Sequence, residues 1–134
     1  ELYTALQQGV VDGAENNPPS YFLSKHYEAA KYYTLDEHTS VPDVLIMSSA
    51  VFGRLSEVQK GWLNRAVVES VALQKKLWAE AETYALQQVK AAGVQVIYPD
   101  KKPFRVSVAV MRNEFRDSEL GSIIKRVEAL EASP

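Results

Sequence analysis

From Ser56 to Ala92 the chain carries almost nothing that would stop a helix, and this stretch limits what the rest can fold into. Ser56-Glu57-Val58-Gln59 matches the reciprocal capping box, in which the serine hydroxyl accepts from an early backbone N–H and the glutamine reaches back to the cap. No proline follows until Pro99, Gly61 is the only glycine before Gly93, and Gly93 stands where a helix would close. The pattern predicts one helix over 57–92, about 54 Å long at ~1.5 Å per residue. A compact globule of this chain length should be only roughly 36 Å across, from an expected radius of gyration of ~14 Å. Trp62, Ala66, Val67, Leu73, Leu77, Trp78, Ala81, Tyr84, Ala85 and Val89 spread apolar contacts along the whole helix, so both of its ends need something to pack against. A coiled coil is the competing explanation, but Glu69, Gln74 and Glu80 interrupt any strict a/d seam.

The flanking segments alternate between helical and extended patterns. Leu2 to Gln8 favours helix, with Gly9 placed for a left-handed cap. Val10-Val11 reads as a short strand and Asp12-Gly13 as a turn. Asn16-Asn17 then leads into Pro18-Pro19, which suit a first helical turn. Tyr21 to Tyr33 has helical spacing with a break near Ser24. Two extended segments are expected between Tyr32 and Ser49, the second, Val44-Leu45-Ile46-Met47, well buried. Val51 to Leu55 should be a short helix or turn, and Val94 to Tyr98 a short strand. Phe104, Val108, Met111 and Phe115 favour a helix with Pro103 in its first turn, against a rival strand-like alternation of Val106, Val108 and Val110. Asp117-Ser118 is placed to cap a last helix with Ile123, Ile124, Val127 and Leu130 on one face. No internal repeat or linker divides the 134 residues.

Most kinds of chemistry find no support. Fifteen Lys and Arg are offset by seventeen Asp and Glu with no basic stripe, which argues against a nucleic-acid partner. With no cysteine there is neither a disulfide nor thiol chemistry, and no apolar run approaches the ~20 residues that span a bilayer. His26 and His38 fit no metal-ligand spacing, and no nucleophile elbow or phosphate-binding glycine pattern occurs. No cofactor is expected, and a hydrolase built on Glu15 and Glu37 carries little weight. Tyr21, Tyr27, Tyr32 and Tyr33 could stack a ligand, although an aromatic stripe is more often core. The amides of Asn16 and Asn17, beside the free N–H groups of a helix start, could bind an anion or hydroxyls; simple helix capping is the plainer explanation.

The run Leu6-Gln7-Gln8-Gly9-Val10-Val11-Asp12-Gly13-Ala14-Glu15-Asn16-Asn17-Pro18 resembles the signature of the substrate-binding proteins of tripartite ATP-independent periplasmic (TRAP) transporters, the DctP-like family. The likeness continues through Ser24-Lys25-His26-Tyr27-Glu28, Lys31-Tyr32-Tyr33, Glu37-His38-Thr39, Ile46-Met47-Ser48 and Leu55-Ser56, and ends with Gly93-Val94 and Pro103-Phe104. It implies that residues 1–134 form the C-terminal part of a two-lobe α/β flytrap, with the helix at about 57–92 spanning both lobes. Members are roughly twice this length, in line with two domains of ordinary size. The N-terminal lobe and a secretion signal are therefore expected upstream. So is the arginine that pairs with the ligand carboxylate, since none of Arg54, Arg65, Arg105, Arg112, Arg116 or Arg126 matches its motif.

The implied role is a periplasmic solute-binding component, not an enzyme. It would capture an organic acid and deliver it to the TRAP membrane subunits by cleft closure. By position, Asn16 matches the asparagine that bonds the ligand beside its carboxylate, Glu37 could accept from ligand hydroxyls, and Asn17 or His38 could add contacts. Glu37 would favour a hydroxylated sugar acid over a plain dicarboxylate, whose charge it would repel. The exposed apolar surface of the long helix calls for the N-terminal lobe or another copy of the chain as partner. The alternative is a helical interaction or oligomerisation module with no ligand site of its own.

Overall fold

Ser56 builds the predicted cap: its hydroxyl accepts from the Gln59 N–H at 3.3 Å, and the Gln59 side chain accepts from the Ser56 N–H at 2.9 Å. In the computed structural model, which describes residues 1–131, the helix so started runs unbroken for 35 residues, or about 52 Å at ~1.5 Å per residue. At its far end Gly93 takes φ +85°, and the Val94 N–H reaches back to the Val89 carbonyl at 3.0 Å. That left-handed turn is open to glycine without steric cost, and it sends the chain straight into a strand.

Two compact units divide the chain, 1–97 and 98–134. In the first, the elements are α1 (Leu2–Gln7), α2 (Pro18–Leu23), α3 (His26–Ala29), β1 (Tyr32–Thr34), α4 (Ser49–Gly53), the long α5 (Glu57–Ala91) and β2 (Gln95–Ile97). The strands β1 and β2 pair in parallel, with Tyr32 opposite Gln95, Tyr33 opposite Val96 and Thr34 opposite Ile97. A parallel pair needs a long crossover, and here α4 and α5 lie within it. The core sits where α2 and the sheet meet the last turns of α5: Tyr21, Val89 and Val94 are buried, with Phe22, Tyr27, Ala30, Tyr33 and Val96 packed on them. Phe22 meets Tyr84 of α5 edge-on with ring centres 5.8 Å apart. Tyr3 on α1 donates to Glu28 on α3 at 2.9 Å. Away from this core α5 is bare: Trp62, Val68, Leu73 and Leu77 are each more than half exposed.

In the second unit α6 (Lys102–Ser107), α7 (Ala109–Glu114) and α8 (Glu119–Glu131) follow one another. Arg116 pairs with Glu128 of α8 at 3.5 Å. The expected helix through Phe104 and Phe115 is present but broken at Val108, which leaves helical geometry at φ −95°, ψ 0°.

Two strand expectations fail. Val10-Val11 forms a bend, because the N–H groups of both residues turn back to the Ala5 carbonyl at the end of α1, at 2.9 and 3.5 Å. Gly9 does take the left-handed conformation expected there, φ +68°. Val44 to Met47 is neither strand nor buried, Val44, Leu45 and Ile46 being 71–84% exposed. Among the described residues the sheet has only β1 and β2, so neither run has a strand to pair with, and an apolar segment without a sheet neighbour keeps no strand geometry. The helix break near Ser24 falls at Lys25, whose φ is +58°.

Candidate functional site

The two asparagines before α2 do different work. Asn17 is the N-cap, its side chain accepting from the Ser20 N–H at 2.9 Å while Pro18 and Pro19 fill the first turn. Asn16 stands one residue outside the helix. Its side-chain oxygen accepts from the Asn17 N–H at 3.0 Å, and its main-chain carbonyl accepts from the hydroxyl of Tyr33 at 2.7 Å.

Tyr33 reaches Asn16 from the middle of β1. Its ring lies flat on that of Tyr21, with centres 4.5 Å apart and planes 9° from parallel. The Tyr21 hydroxyl is itself bonded to the Ala30 carbonyl. The strand and the neck of α2 are thereby stapled together beside Asn16. A cavity of about 460 Å³ opens there, walled by Asn16, Tyr21, His26, Lys31, Tyr32 and Tyr33 together with the Val11–Ala14 turn. The volume falls within the ~300–1,000 Å³ range of small-molecule sites, and aromatic walls with a few polar groups are their usual lining.

Burial pushes the Tyr33 hydroxyl up to about 12, helped by the charges of Tyr21, Glu82, Asp36 and Glu15. It therefore stays a proton donor across the physiological range. Beyond β1, His38 Nδ1 lies 2.9 Å from the Asp36 carboxylate. The hydrogen bond from His38 is the main cause that lowers Asp36, and the same bond, with the charges of Asp36 and Glu15, raises His38. Both groups are open to solvent, so the pair is weakly stabilising at most.

Of the four residues singled out in the sequence, only Asn16 lines the cavity. Asn17 is engaged as the helix cap, the plainer of the two explanations for its amide. Glu37 and His38 lie outside the cavity wall on the exposed segment after β1, Glu37 in the left-handed conformation at φ +51°. Lys31 as a wall residue and the Tyr33 hydroxyl as an anchor for Asn16 have no signal in the sequence. Tyr21 and Tyr33, expected as core or as stacking groups, serve as core and cavity wall together. Among the described residues no group of three His, Cys, Asp or Glu could hold a metal ion, and no helix is long and apolar enough to cross a membrane.

Residues 1–118 match the family model described as bacterial extracellular solute-binding protein, family 7 (DctP). The uncharacterised protein YiiZ of Salmonella typhimurium is 41% identical over 109 residues, covering 81% of this chain and 33% of its own length. Two solved TRAP periplasmic solute-binding proteins share the fold. That of Xanthobacter autotrophicus Py2, with bound β-D-galacturonate, is 40% identical with a TM-score of 0.82, over 96% of this chain and 44% of that one. That of Chromohalobacter salexigens, with bound D-glucuronate, is 35% identical with a TM-score of 0.88, again over 96% and 44%. The chain thus spans less than half the length of these proteins, in keeping with the C-terminal portion of the two-lobe fold.

Proposed function

The chain belongs to family 7 of the bacterial extracellular solute-binding proteins, and from that premise we propose that it is one part of a periplasmic TRAP solute-binding protein that captures a sugar acid of the uronate class. The observation that carries this reading is Asn16, at the wall of a ligand-sized cavity in a chain 40% identical to a galacturonate-bound protein. An asparagine amide donates to a carboxylate or hydroxyl and accepts from a hydroxyl, which suits a polyhydroxylated acid. Glu37 accepts from ligand hydroxyls, with Asn17 and His38 as secondary contacts, once the rest of the protein closes over this face. The carboxylate is met by an arginine outside residues 1–134.

The working protein is a flytrap. Ligand bridging the two lobes favours the closed state by its extra contacts there, and the TRAP membrane subunits recognise that state. The bare stretch of α5 spans to the other lobe, which covers Trp62, Val68, Leu73 and Leu77. The role is binding and delivery, without catalysis. The same bare stretch is what would favour an interaction or oligomerisation module, and a ligand screen separates the two. In a thermal-shift series on the complete protein, glucuronate or galacturonate should raise the melting temperature, because binding confined to the native state adds about 2.7 kcal/mol at a hundredfold excess over Kd. A plain dicarboxylate such as succinate should do so less. No shift with any acid, together with concentration-dependent self-association, would support the interaction module instead.

A further inference from the structure

Asn16 lies in the stretch 13–17, which belongs to no helix or strand. Its side-chain oxygen accepts from the next residue, and the helix start at Asn17, held to the sheet through the Tyr21–Tyr33 stack, places the chain only as far as the cap. The Tyr33 hydroxyl adds a direct bond from the sheet to the main chain of Asn16 itself, across seventeen residues of sequence, at 2.7 Å. Tyr33 is itself poorly free to move. It sits in the middle of β1 opposite Val96, and its ring is stacked on Tyr21, which is only 4% exposed.

We propose that Tyr33 is a positioning residue for solute binding: its hydroxyl pins the Asn16 carbonyl to the sheet, so that the Asn16 amide is set for ligand before ligand arrives. The role rests on the reading of Asn16 as a ligand-binding residue. Its physical basis is preorganisation, since a contact on a wandering segment must be ordered on binding and that cost is subtracted from affinity. A phenylalanine at position 33 keeps the ring stack and removes only the anchor.

The test is calorimetric titration of the complete protein with D-glucuronate, in the wild type, Tyr33→Phe, Asn16→Ala, the double variant, and Val89→Ala. Val89 is a core residue outside the cavity wall, 1% exposed, so its truncation lowers stability without touching Asn16. Tyr33→Phe should weaken binding roughly three- to tenfold, the worth of one hydrogen bond, while Val89→Ala should stay within about twofold of wild type despite the larger loss of stability. In the Asn16→Ala background the Tyr33 change should cost no further affinity, because the tyrosine acts through that amide. Wild-type affinity in Tyr33→Phe alongside a loss in Asn16→Ala would overturn the positioning role and spare the reading of Asn16. Additive losses in the double variant would overturn it by showing that Tyr33 acts on binding independently of the Asn16 amide, and an equal loss in Val89→Ala would overturn it by showing general softening. Wild-type affinity in Asn16→Ala would refute the reading of Asn16 itself and the positioning role with it.

Discussion

Replacing Asn17 by alanine measures what the second of two adjacent amides contributes as a helix cap, apart from its secondary contact with ligand. Pro18 and Pro19 occupy the first two positions of α2 and bring no N–H, and the Tyr21 N–H is bonded to the Asn17 carbonyl at 2.9 Å. Of the donors that a helix start leaves open, the Ser20 N–H is the one the Asn17 side chain satisfies. Losing a cap of this kind costs about 1 kcal/mol, within a range of ~0.5–2. The exposed setting of the bond lets water take over part of it, which keeps the cost near the middle of that range rather than above it. In a protein about twice this length the melting temperature should fall by roughly 1–2 °C, read by calorimetric or fluorescence-monitored unfolding of the complete protein. Asn17→Asp should keep the stability, since an acidic cap also suits the helix dipole. If Asn17→Ala leaves the melting temperature unchanged and abolishes uronate binding, the capping assignment is wrong and the amide serves ligand alone, as a primary contact.

Other consequences follow from the same geometry. Glu37→Ala should lower uronate affinity by about tenfold, near the bottom of the range for a charged hydrogen bond; calorimetry showing no change would remove Glu37 from the site. Val89→Ala, at the 1%-exposed centre of the core, should cost about 2–3 kcal/mol from the methyl groups lost and the cavity left, measured as a shifted urea midpoint without a change in slope. The His38–Asp36 pair should titrate visibly by NMR. With His38 raised above 6.5 in the folded chain, its small contribution is full below the unfolded value and lost as pH rises through the folded one. With Asp36 lowered below 3.8, the carboxylate's share is present above that value and lost as pH falls through the folded one. Asp36→Asn should return the histidine toward its ordinary value, and an unchanged titration would show the contact to be absent in solution.

What the sequence made legible was local, and what it hid was pairing at a distance. The capping box at Ser56, the glycines at 9 and 93, and the prolines after Asn17 act through their own neighbours in the chain, and all four features appear where their chemistry puts them. Val10-Val11 and Val44 to Met47 have strand-like residues, but a strand exists only beside another strand, and the sheet of the described residues ends with β1 and β2. The 102–114 segment shows the same limit on a smaller scale, since its apolar stripe indicated helix and gave no sign of the break at Val108. Asn16, which lines the cavity, stands out in the sequence because it sits inside a contiguous run that resembles a family signature. The Tyr33 contact was not, because it joins residues seventeen apart through a hydroxyl that spacing alone assigns to a packed aromatic stripe. Asn17 was left with both roles open by the sequence, and the 2.9 Å bond to Ser20 supplies the capping partner.

The most direct question is whether Asn16 holds a sugar acid. A crystal structure of the complete protein grown with D-glucuronate should show the ligand within hydrogen-bond distance of the Asn16 amide, with the Tyr33 hydroxyl still on the Asn16 carbonyl and an arginine from outside residues 1–134 on the carboxylate. Glucuronate bound elsewhere, with the Asn16 side chain turned away from it, would contradict a ligand-binding role for Asn16.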